Sequence, residues 1–469
     1  MRISRYSGEL GSSLDRLTRE VRTTQRRQFD RRTFLSGVGT VALGGTVGAT
    51  PSVGTTRLSE QPRDGRYDFD TVYSRIGTNS SKWDRQIARY GRDNIEVGMG
   101  TADQDFRSAP AITRALRERV EHENYGYLTV PQSYLDSIVN WNQRRYNLGI
   151  DPETICHSAG VHPAIISTLR AFCPPRSKVL VLAPTYDGFY ADIRIVDAIA
   201  EESPLQLVNG RYVIDFDDFE RRIDHDVHAF ILCNPHNPTG NVWSREDLTR
   251  LGEICTRRRV VVLADEIHCD FVTAGYTYTP YATLDDEEIV RNSITYKSVS
   301  KSFNLSAMRC AYMFSGNREY LDRVTGPGQL RQAMSTLAIV AAEAAYDECE
   351  DWLDQLVEYI DGTQRFVESF VSANVPLVNC IKPEGTYLSW LDVAEALDKT
   401  NTNQRAAADD SSTAESLFQG YLVEHARIHL NPGSNYGLGG AGRMRMNVAT
   451  SRQLVERALN NLADALRNV

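Results

Sequence analysis

The feature that most constrains the fold is a series of short apolar runs, separated by stretches with helical spacing. The runs lie at residues 179–183, 229–233, 260–264 and 293–298. The first three runs are apolar throughout and the fourth is less apolar. Short apolar runs of this kind are typical of strands buried on both faces. Between two of them, Ser244 and Asp247 form a capping pattern ahead of apolar residues at helical spacing, Leu248, Leu251 and Ile254. The alternation predicts an α/β fold in which helices flank a mostly parallel sheet.

Composition narrows the class of protein. The chain has 469 residues and a formal net charge of −9, with no basic stripe after the first fifty residues, so nucleic acid is not expected as a main partner. The eight cysteines are scattered, without CxxC pairs or metal-ligand spacing, so neither a disulfide framework nor a metal site is predicted.

The pattern changes along the chain and predicts more than one domain. Helical spacing at 108–122 and 160–172 belongs to the alternating part, whereas long helical patterns after residue 335 precede strand-like pieces at 387–392 and 443–448. We expect an arm at 51–105 that contributes to a small domain, a large domain at 106–335 and a small α+β domain at 336–469. Polar residues 398–414 predict a surface loop within the small domain.

The first fifty residues are predicted to form an N-terminal segment separate from the folded domains. Arg31 and Arg32 precede Thr33-Phe34-Leu35 and a weakly apolar stretch at 37–49 that is too short to span a bilayer. A basic region, an apolar region and small residues make up an export signal, and the paired arginines resemble the twin-arginine type. We expect export to the periplasm or the exterior, the alternative being a disordered basic tail on a cytoplasmic protein.

Chemically distinctive side chains follow the predicted strands. Asn237 lies in the turn NPHNPTG, Asp265 follows a fully apolar strand, and Lys301 lies between hydroxyls in SVSKSFN, with Arg309 beyond it. A carboxylate there is costly without a partner such as a protonated pyridine nitrogen, and a lysine there can form an imine while the hydroxyls bind phosphate. Alone, each has a bland interpretation: a turn, a helix cap or a solvated lysine. In this order, each after a strand, they predict one ligand site at the carboxyl edge of the sheet.

Over residues 67–469 the sequence resembles the fold-type I enzymes that use pyridoxal 5′-phosphate (PLP), the aminotransferase class I/II superfamily. Within it the sequence most resembles the cystathionine β-lyase-like C–S lyases. The matching stretches are ADQDF from Ala102, YGY from Tyr125, PTYDGFY from Pro184, NPHNPTGNVW from Asn234, DEIHCD from Asp265, SKSFN from Ser300 and EGTYLSWLD from Glu384. The resemblance implies PLP as cofactor, an amino acid as substrate, a sheet of the seven-stranded type and a homodimer with shared active sites.

The resemblance also implies roles around the cofactor ring. Lys301 holds PLP as a Schiff base and then moves the Cα proton, while Asp265 pairs with the ring nitrogen. Asn237 bonds the ring 3-oxygen, and Tyr186 stacks on the ring face. His268 occupies a place near the 3-oxygen, although an isolated histidine there could equally be a satisfied buried residue.

Further implied roles concern the cofactor phosphate and the substrate. The phosphate is held by a helix start and side chains nearby, namely Gly160, Val161, Ser298, Ser300 and Arg309. Tyr127 reaches the neighbouring subunit's phosphate. Arg445 grips the substrate carboxylate, although Arg443 lies on the same predicted strand face. Asp103 and Tyr387 lie in matching segments and are assigned to substrate binding.

Three departures concern the substrate side and the reaction. Gln104 replaces the methionine usual in the lyase-like group, Gly98-Met99-Gly100 lacks an aromatic residue often found there, and Arg309 is more typical of aminotransferases. These departures leave the reaction open. The leading prediction, which follows from the resemblance, is β-elimination of a thiol from an L-amino acid, giving ammonia and a keto acid. The alternatives are transamination, cyclisation or oxidation of an amino acid, and a regulatory protein that binds without catalysis.

Overall fold

The structure is a computed structural model that describes residues 65–326, 334–408, 411–467 and 469. The predicted export signal at residues 1–50 lies outside the described residues. Within them, no helix combines the length and the apolar character that crossing a membrane requires.

The larger part of the fold is built on a seven-stranded sheet. Its strands, in spatial order, are Cys156–Ser158, Ala311–Phe314, Ser293–Lys297, Val261–Asp265, Val227–Cys233, Lys178–Ala183 and Ile199–Pro204. Neighbours from Ser293–Lys297 to Ile199–Pro204 pair in parallel, and Ala311–Phe314 pairs antiparallel with both of its neighbours. The predicted α/β fold with a mostly parallel sheet is confirmed.

The register of the central strands fixes where the polar residues meet. Val261–Asp265 is buried along its whole length because helices cover both faces of the sheet. Cys233 pairs with Asp265, and Asp265 pairs with Tyr296, so these three strands end side by side. The segments that carry Asn237 and Lys301 leave the sheet directly after these ends.

Helices flank this sheet and are joined to it by short connections. Those of eight residues or more are Pro110–Glu121, Gln132–Tyr146, Val161–Phe172, Asp187–Ile195, Arg245–Arg258, Arg318–Thr325, Thr336–Glu348 and Glu350–Asn374. Shorter helices are Phe216–Arg222, Glu287–Arg291 and Val299–Ser302, and 3₁₀ turns occur at Pro152–Thr154, Tyr281–Thr283 and Ser306–Met308. The predicted cap before Leu248 is a capping box, in which the Ser244 hydroxyl accepts from the amide of Asp247 and the Asp247 carboxylate accepts from the amide of Ser244.

A smaller part combines a four-stranded sheet with helices. Its strands are Asn379–Ile381, Leu388–Asp392, Arg443–Asn447 and Asn431–Pro432, and its helices are Asp84–Tyr90, Ala394–Lys399, Thr402–Ala407, Ala414–Tyr421, Leu422–Ala426 (a π-helix) and Arg452–Leu466. A strand from the predicted arm, Val97–Gly98, pairs with Ile428–His429. The remaining elements are a two-stranded antiparallel sheet, formed by Gln206–Val208 and Arg211–Val213, and the 3₁₀ turns Arg92–Asn94 and Gly433–Tyr436.

One local prediction is wrong. Residues 398–414 are not a continuous surface loop, because Thr402–Ala407 is helical. Gln404, Arg405 and the alanines are good helix formers, and Asn401 in the left-handed conformation separates this helix from the preceding one. The polar composition of this segment reflects its exposure to solvent and not a lack of secondary structure.

The predicted limits of the two larger domains remain predictions. Packing crosses residue 335, because Thr336–Glu348 packs on Pro110–Glu121 and Gln132–Tyr146 in one apolar core. A second core joins Trp83 and Val97 to the C-terminal helix Arg452–Leu466.

Candidate active site

The carboxyl edge of the large sheet holds a cavity of about 210 Å³. Its walls include Gly160, Tyr186, Asn237, Asp265, Ser300 and Lys301, which the sequence predicts to lie together. The cavity exists because three parallel strands end there and their connections turn away to different helices.

Lys301 lies in the short helix Val299–Ser302, which a single residue, Ser298, separates from the strand Ser293–Lys297. Its Nζ donates to the carbonyl oxygen of Ala102 at 2.8 Å. Burial, together with the positive charge of Arg445, lowers the pKa of Lys301 to about 8. A larger fraction of this amine is therefore neutral near pH 7 than for an ordinary lysine, which makes it a better nucleophile.

Asp265 is the last residue of its strand and is 4% exposed. One carboxylate oxygen accepts from the amide of Ile267 at 3.1 Å, and no basic side chain of the described residues lies within 4.0 Å of it. Burial raises the pKa of Asp265 to about 6. The carboxylate therefore lacks the cationic partner that would offset its burial.

Tyr186 lies over the cavity and is held by a histidine that the sequence analysis did not single out. His162 Nε2 lies 3.1 Å from the Tyr186 hydroxyl, and His162 Nδ1 lies 2.6 Å from Asp192 Oδ2. Burial opposes a charge on His162, but the hydrogen bond and charge of Asp192 give the imidazole a net raised pKa. The local sequence gave no signal for this group, because His162 lies on one helix and Asp192 on another, with Tyr186 directly before the second.

Gly188 leaves the room that this group needs. A Cβ at residue 188 would overlap the ring of His162 and lie 2.6 Å from Cε1 of Tyr186. We expect Gly188→Ala to lower the free energy of unfolding by about 1–3 kcal/mol, since overpacking forces side chains out of place, and to weaken cofactor binding. Chemical denaturation and cofactor titration measure both effects. Gly420→Ala is the control, because a Cβ there meets nothing within 4 Å; equal behaviour of the two variants would contradict the prediction.

The predicted phosphate end lies at the start of the helix Val161–Phe172. Gly160 precedes it with φ of 149°, a conformation that favours glycine, and both Gly160 and Val161 line the cavity, where the free amides of a helix start can bind an anion. Ser300 and Arg309 line the cavity there. Ser298 does not line it; its hydroxyl donates to the carbonyl of Cys310 at 2.6 Å and contacts the Ser300 hydroxyl. Ser298 thus braces Ser300.

The structure gives Arg443 and Arg445 different partners. Arg443 forms an ion pair with Asp392 at 3.0 Å, whereas Arg445 is 2% exposed and turns toward the site. Arg445 Nη1 donates to Asn237 Oδ1 at 3.1 Å, and its Nη2 donates to the carbonyl of Gly100 at 2.9 Å. Its Nε has no hydrogen-bond partner among the described residues. The guanidinium is fixed beside the cavity with donor capacity left over.

The segment 101–105 forms the opposite wall. Asp103 pairs with Arg75 at 2.7 Å, and the Tyr387 hydroxyl donates to the carbonyl of Ala102 at 3.1 Å. Gln104, the residue that departs from the lyase-like pattern, donates through Nε2 to the carbonyl of Lys301 at 2.5 Å. Gln104 therefore braces the lysine backbone, while Tyr387 holds the segment in place.

His268 also lines the cavity and is 2% exposed. Its ring centroid lies 5.5 Å from that of Tyr387, and its Nδ1 has no hydrogen-bond partner among the described residues. Burial, with the charges of Lys301 and Arg445, lowers its pKa, so the ring is neutral. An unpartnered ring nitrogen in the cavity favours the site interpretation over that of a satisfied buried histidine.

Tyr127 stands apart from the other predicted residues. It is fully exposed, as is much of Tyr125, and it lines no cavity with Lys301 in the same chain. Its predicted place is at the site of a neighbouring subunit, which a single chain does not test.

A buried ion pair that the sequence analysis missed supports the wall at 101–105. Lys82 and Asp105 are 0% and 1% exposed, and Lys82 Nζ lies 2.8 Å from Asp105 Oδ2. Trp83 Nε1 also donates to Asp105 at 3.0 Å. The scarcity of lysine in the sequence was the available signal, since a lysine beside a tryptophan is a candidate for burial.

We expect Lys82→Met to lower the free energy of unfolding by about 3–5 kcal/mol, because the Asp105 carboxylate would stay buried without its main cation. Equilibrium denaturation measures the change. Lys399→Met, at an exposed position, is the matched control. A decrease of less than about 1 kcal/mol in the free energy of unfolding of Lys82→Met would mean that the pair stabilises the fold no more than a surface ion pair does.

The cavity fits PLP on observations of this structure. It holds a buried amine, an unpaired buried carboxylate suited to a ring nitrogen, an aromatic face and a glycine-bounded helix start suited to phosphate. These groups lie on separate strands and loops, and packing of the core does not require their polar atoms to meet.

Comparison with known proteins gives the class. Residues 94–462 match the family described as aminotransferase class I and II, and the chain belongs to that family. A curated relative is cystathionine beta-lyase PatB of Bacillus subtilis, 36% identical over 405 residues, which cover 85% of this chain and 100% of PatB.

Two solved structures are also similar to this chain over most of its length. Cystalysin from Treponema denticola, which contains a pyridoxal 5′-phosphate cofactor, is 28% identical with a TM-score of 0.79, over 86% of this chain and 99% of its own. The PLP-bound C–S lyase from Staphylococcus hominis is 27% identical with a TM-score of 0.76, over 86% of this chain and 98% of its own. The predicted family resemblance is confirmed.

Proposed function

We propose that this protein is a PLP-dependent C–S β-lyase that releases a thiol, ammonia and a keto acid from an L-amino acid. The observation that carries the proposal is one cavity that joins the Lys301 amine and the unpaired Asp265 carboxylate, with the buried Arg445 guanidinium hydrogen-bonded to Asn237 on its wall. The similarity to PatB, over the whole length of that cystathionine beta-lyase, supports the reaction class.

Specific residues would hold the cofactor. Lys301 would attach it covalently through Nζ, Asp265 would pair with its ring nitrogen, and Tyr186 would cover the ring face. Asn237 and His268 offer polar atoms beside the ring, and the phosphate would lie at the helix start with Ser300 and Arg309. When bound, PLP supplies an electron sink that acidifies the substrate Cα proton.

The remaining chemistry belongs to the chain. Arg445 would orient the substrate by binding its α-carboxylate, for which a planar guanidinium supplies two parallel donors. Lys301, with its pKa lowered to about 8, would take the Cα proton at Nζ near neutral pH. The positions of these two groups determine which Cα bond is presented for cleavage.

The reaction is tested with purified holoenzyme, L-cystathionine and L-cysteine, without any keto acid. Sustained release of pyruvate over many turnovers is the expected result. A single stoichiometric conversion that turns over only after addition of a keto acid would make the protein an aminotransferase and overturn the lyase proposal.

We also propose that two copies share their active sites, with Tyr127 of each at the other's cofactor phosphate. Support comes from the exposed side chains Tyr125, Tyr127 and Leu128 in one apolar loop, which a partner would cover. Complementation tests it. Lys301→Ala and Tyr127→Ala should each be nearly inactive alone, whereas their mixed dimer contains one intact site and should restore about one quarter of wild-type activity in a random mixture. No recovery in confirmed mixed dimers would refute sharing.

We propose export through the N-terminal segment, supported by the paired arginines and the apolar stretch that follows. Arg31→Lys with Arg32→Lys should retain the enzyme inside the cell, whereas the wild type should be found outside the cytoplasm. Equal distribution of both proteins would favour the cytoplasmic alternative.

A further inference from the structure

A second, wider opening of about 950 Å³ continues outward from Lys301. It shares Tyr186, Lys301 and Arg309 with the inner cavity, and Arg445 lies on its wall. A substrate held at Arg445 would extend its side chain into this space. The lining of the opening therefore bears on which thiol the enzyme releases.

Gly100 gives the opening its polar character. A Cβ at Gly100 would lie 2.6 Å from both His429 Nδ1 and Asn431 Oδ1. The lack of a side chain at residue 100 thus leaves room for these two polar side chains. They place an imidazole and an amide in the wall of the opening.

His429 carries a buried ring nitrogen that no other described residue hydrogen-bonds. It is 7% exposed, it lines the opening, and its Nδ1 has no hydrogen-bond partner among the described residues. Burial, reinforced by the charges of Arg89 and Arg85, lowers its pKa to about 4, so the ring is neutral at physiological pH. A neutral imidazole can donate through one nitrogen, and a buried polar atom without a partner is a feature expected of a ligand site.

Arg85 and Arg89 bring positive charge to the same place. They lie four residues apart on the helix Asp84–Tyr90, so they share one face, and both line the opening. Neither has a carboxylate within 4.0 Å among the described residues, whereas Arg75 nearby is paired with Asp103. The carboxylates on the wall, Asp103 and Asp187, do not neutralise these two arginines.

We propose that His429, Arg85 and Arg89 form a subsite for a carboxylate on the leaving-thiol side of the substrate. The inference rests on the proposed function and deepens it: the preferred substrates are S-conjugates of L-cysteine whose released thiol carries a carboxylate. Two guanidinium groups match a carboxylate through charge-assisted hydrogen bonds, and His429 adds a donor at the inner end.

A matched pair of substrates tests the proposal on the holoenzyme. S-(2-carboxyethyl)-L-cysteine and its amide, S-(2-carbamoylethyl)-L-cysteine, have nearly the same size and differ in charge. We expect kcat/KM for pyruvate release to be about 10-fold higher for the acid, the preference that one charge-assisted hydrogen bond gives. In Arg85→Gln with Arg89→Gln, the ratio of acid to amide should fall to about 1.

Controls separate this subsite from general effects. Arg405→Gln removes one positive charge at an exposed position that lines neither cavity, and it should keep the wild-type ratio. His429→Phe should also lower the ratio, because it removes the inner donor. Equal kcat/KM values for acid and amide in the wild type, or equal losses for both in the double variant, would overturn the proposal.

A binding measurement keeps this test independent of the reaction. Titration of the visible absorbance of the bound cofactor with each compound gives a Kd whether the enzyme eliminates or transaminates. If no pyruvate forms but the acid still binds about 10-fold more tightly than the amide, the lyase proposal fails and the subsite stands. If pyruvate forms without a difference in Kd or kcat/KM, the subsite fails and the lyase proposal stands.

Discussion

Replacing Lys301 with alanine is expected to lower kcat by at least about 10³-fold and to remove the visible absorbance of the covalently bound cofactor. Loss of a general base alone costs about 10²–10⁴-fold, and this residue is also the proposed point of attachment. Its Nζ is the amine that lines the cavity with Asp265. Absorbance spectra and pyruvate assays measure the two effects.

Reduction of the holoenzyme with borohydride, followed by peptide mass analysis, locates the attachment directly. The cofactor mass is expected on Lys301 in the wild type and on no peptide of the variant. Lys399→Ala, at an exposed lysine, should keep both colour and activity. Retained pyruvate formation in Lys301→Ala would refute the assignment of this lysine as attachment point and base, whereas a wild type without colour or turnover would favour the regulatory alternative.

Asp265→Asn is expected to have opposite effects on activity and on apo-protein stability. Burial raises the folded-state pKa of Asp265 to about 6 from a usual value of 3.8, so ionising the carboxylate disfavours the folded apo-protein. Its contribution to stability is present below pH 4 and is lost as the pH rises through 6. The difference between these folded and usual pKa values corresponds to about 3 kcal/mol at neutral pH.

The asparagine variant lacks this titration. Its apo-form should be up to about 3 kcal/mol more stable than the wild type at pH 8 and should differ little at pH 4. Cofactor should stabilise the variant less than the wild type, because the charged partner of the ring nitrogen is missing, and kcat should fall. Denaturation between pH 4 and 8, with and without PLP, measures both.

Asp285→Asn provides the control, since that carboxylate is 95% exposed. It should leave the pH dependence of stability unchanged. Parallel pH profiles for wild-type and Asp265→Asn apo-protein would mean that the Asp265 carboxylate finds compensation in the folded state.

Much of the fold and the inner site could be predicted from the sequence for a physical reason. Parallel strands are buried on both faces and therefore appear as continuous apolar runs, and their carboxyl ends meet at one edge. Asn237, Asp265 and Lys301 follow such runs, so their proximity was deducible. Residues 402–407 show the limit of composition, because exposed helices and loops share polar residues.

Contacts between distant segments could be decided only by the tertiary structure. Arg443 and Arg445 lie on the same face of their strand. Arg443 nevertheless pairs with Asp392, whereas Arg445 donates to Asn237 at the site. The sequence by itself determined the sheet and the groups that line its carboxyl edge. The packing of separate elements decided the rest, His162 against Tyr186 and His429 beside Gly100, because contacts between such separate elements leave no periodic pattern in the chain.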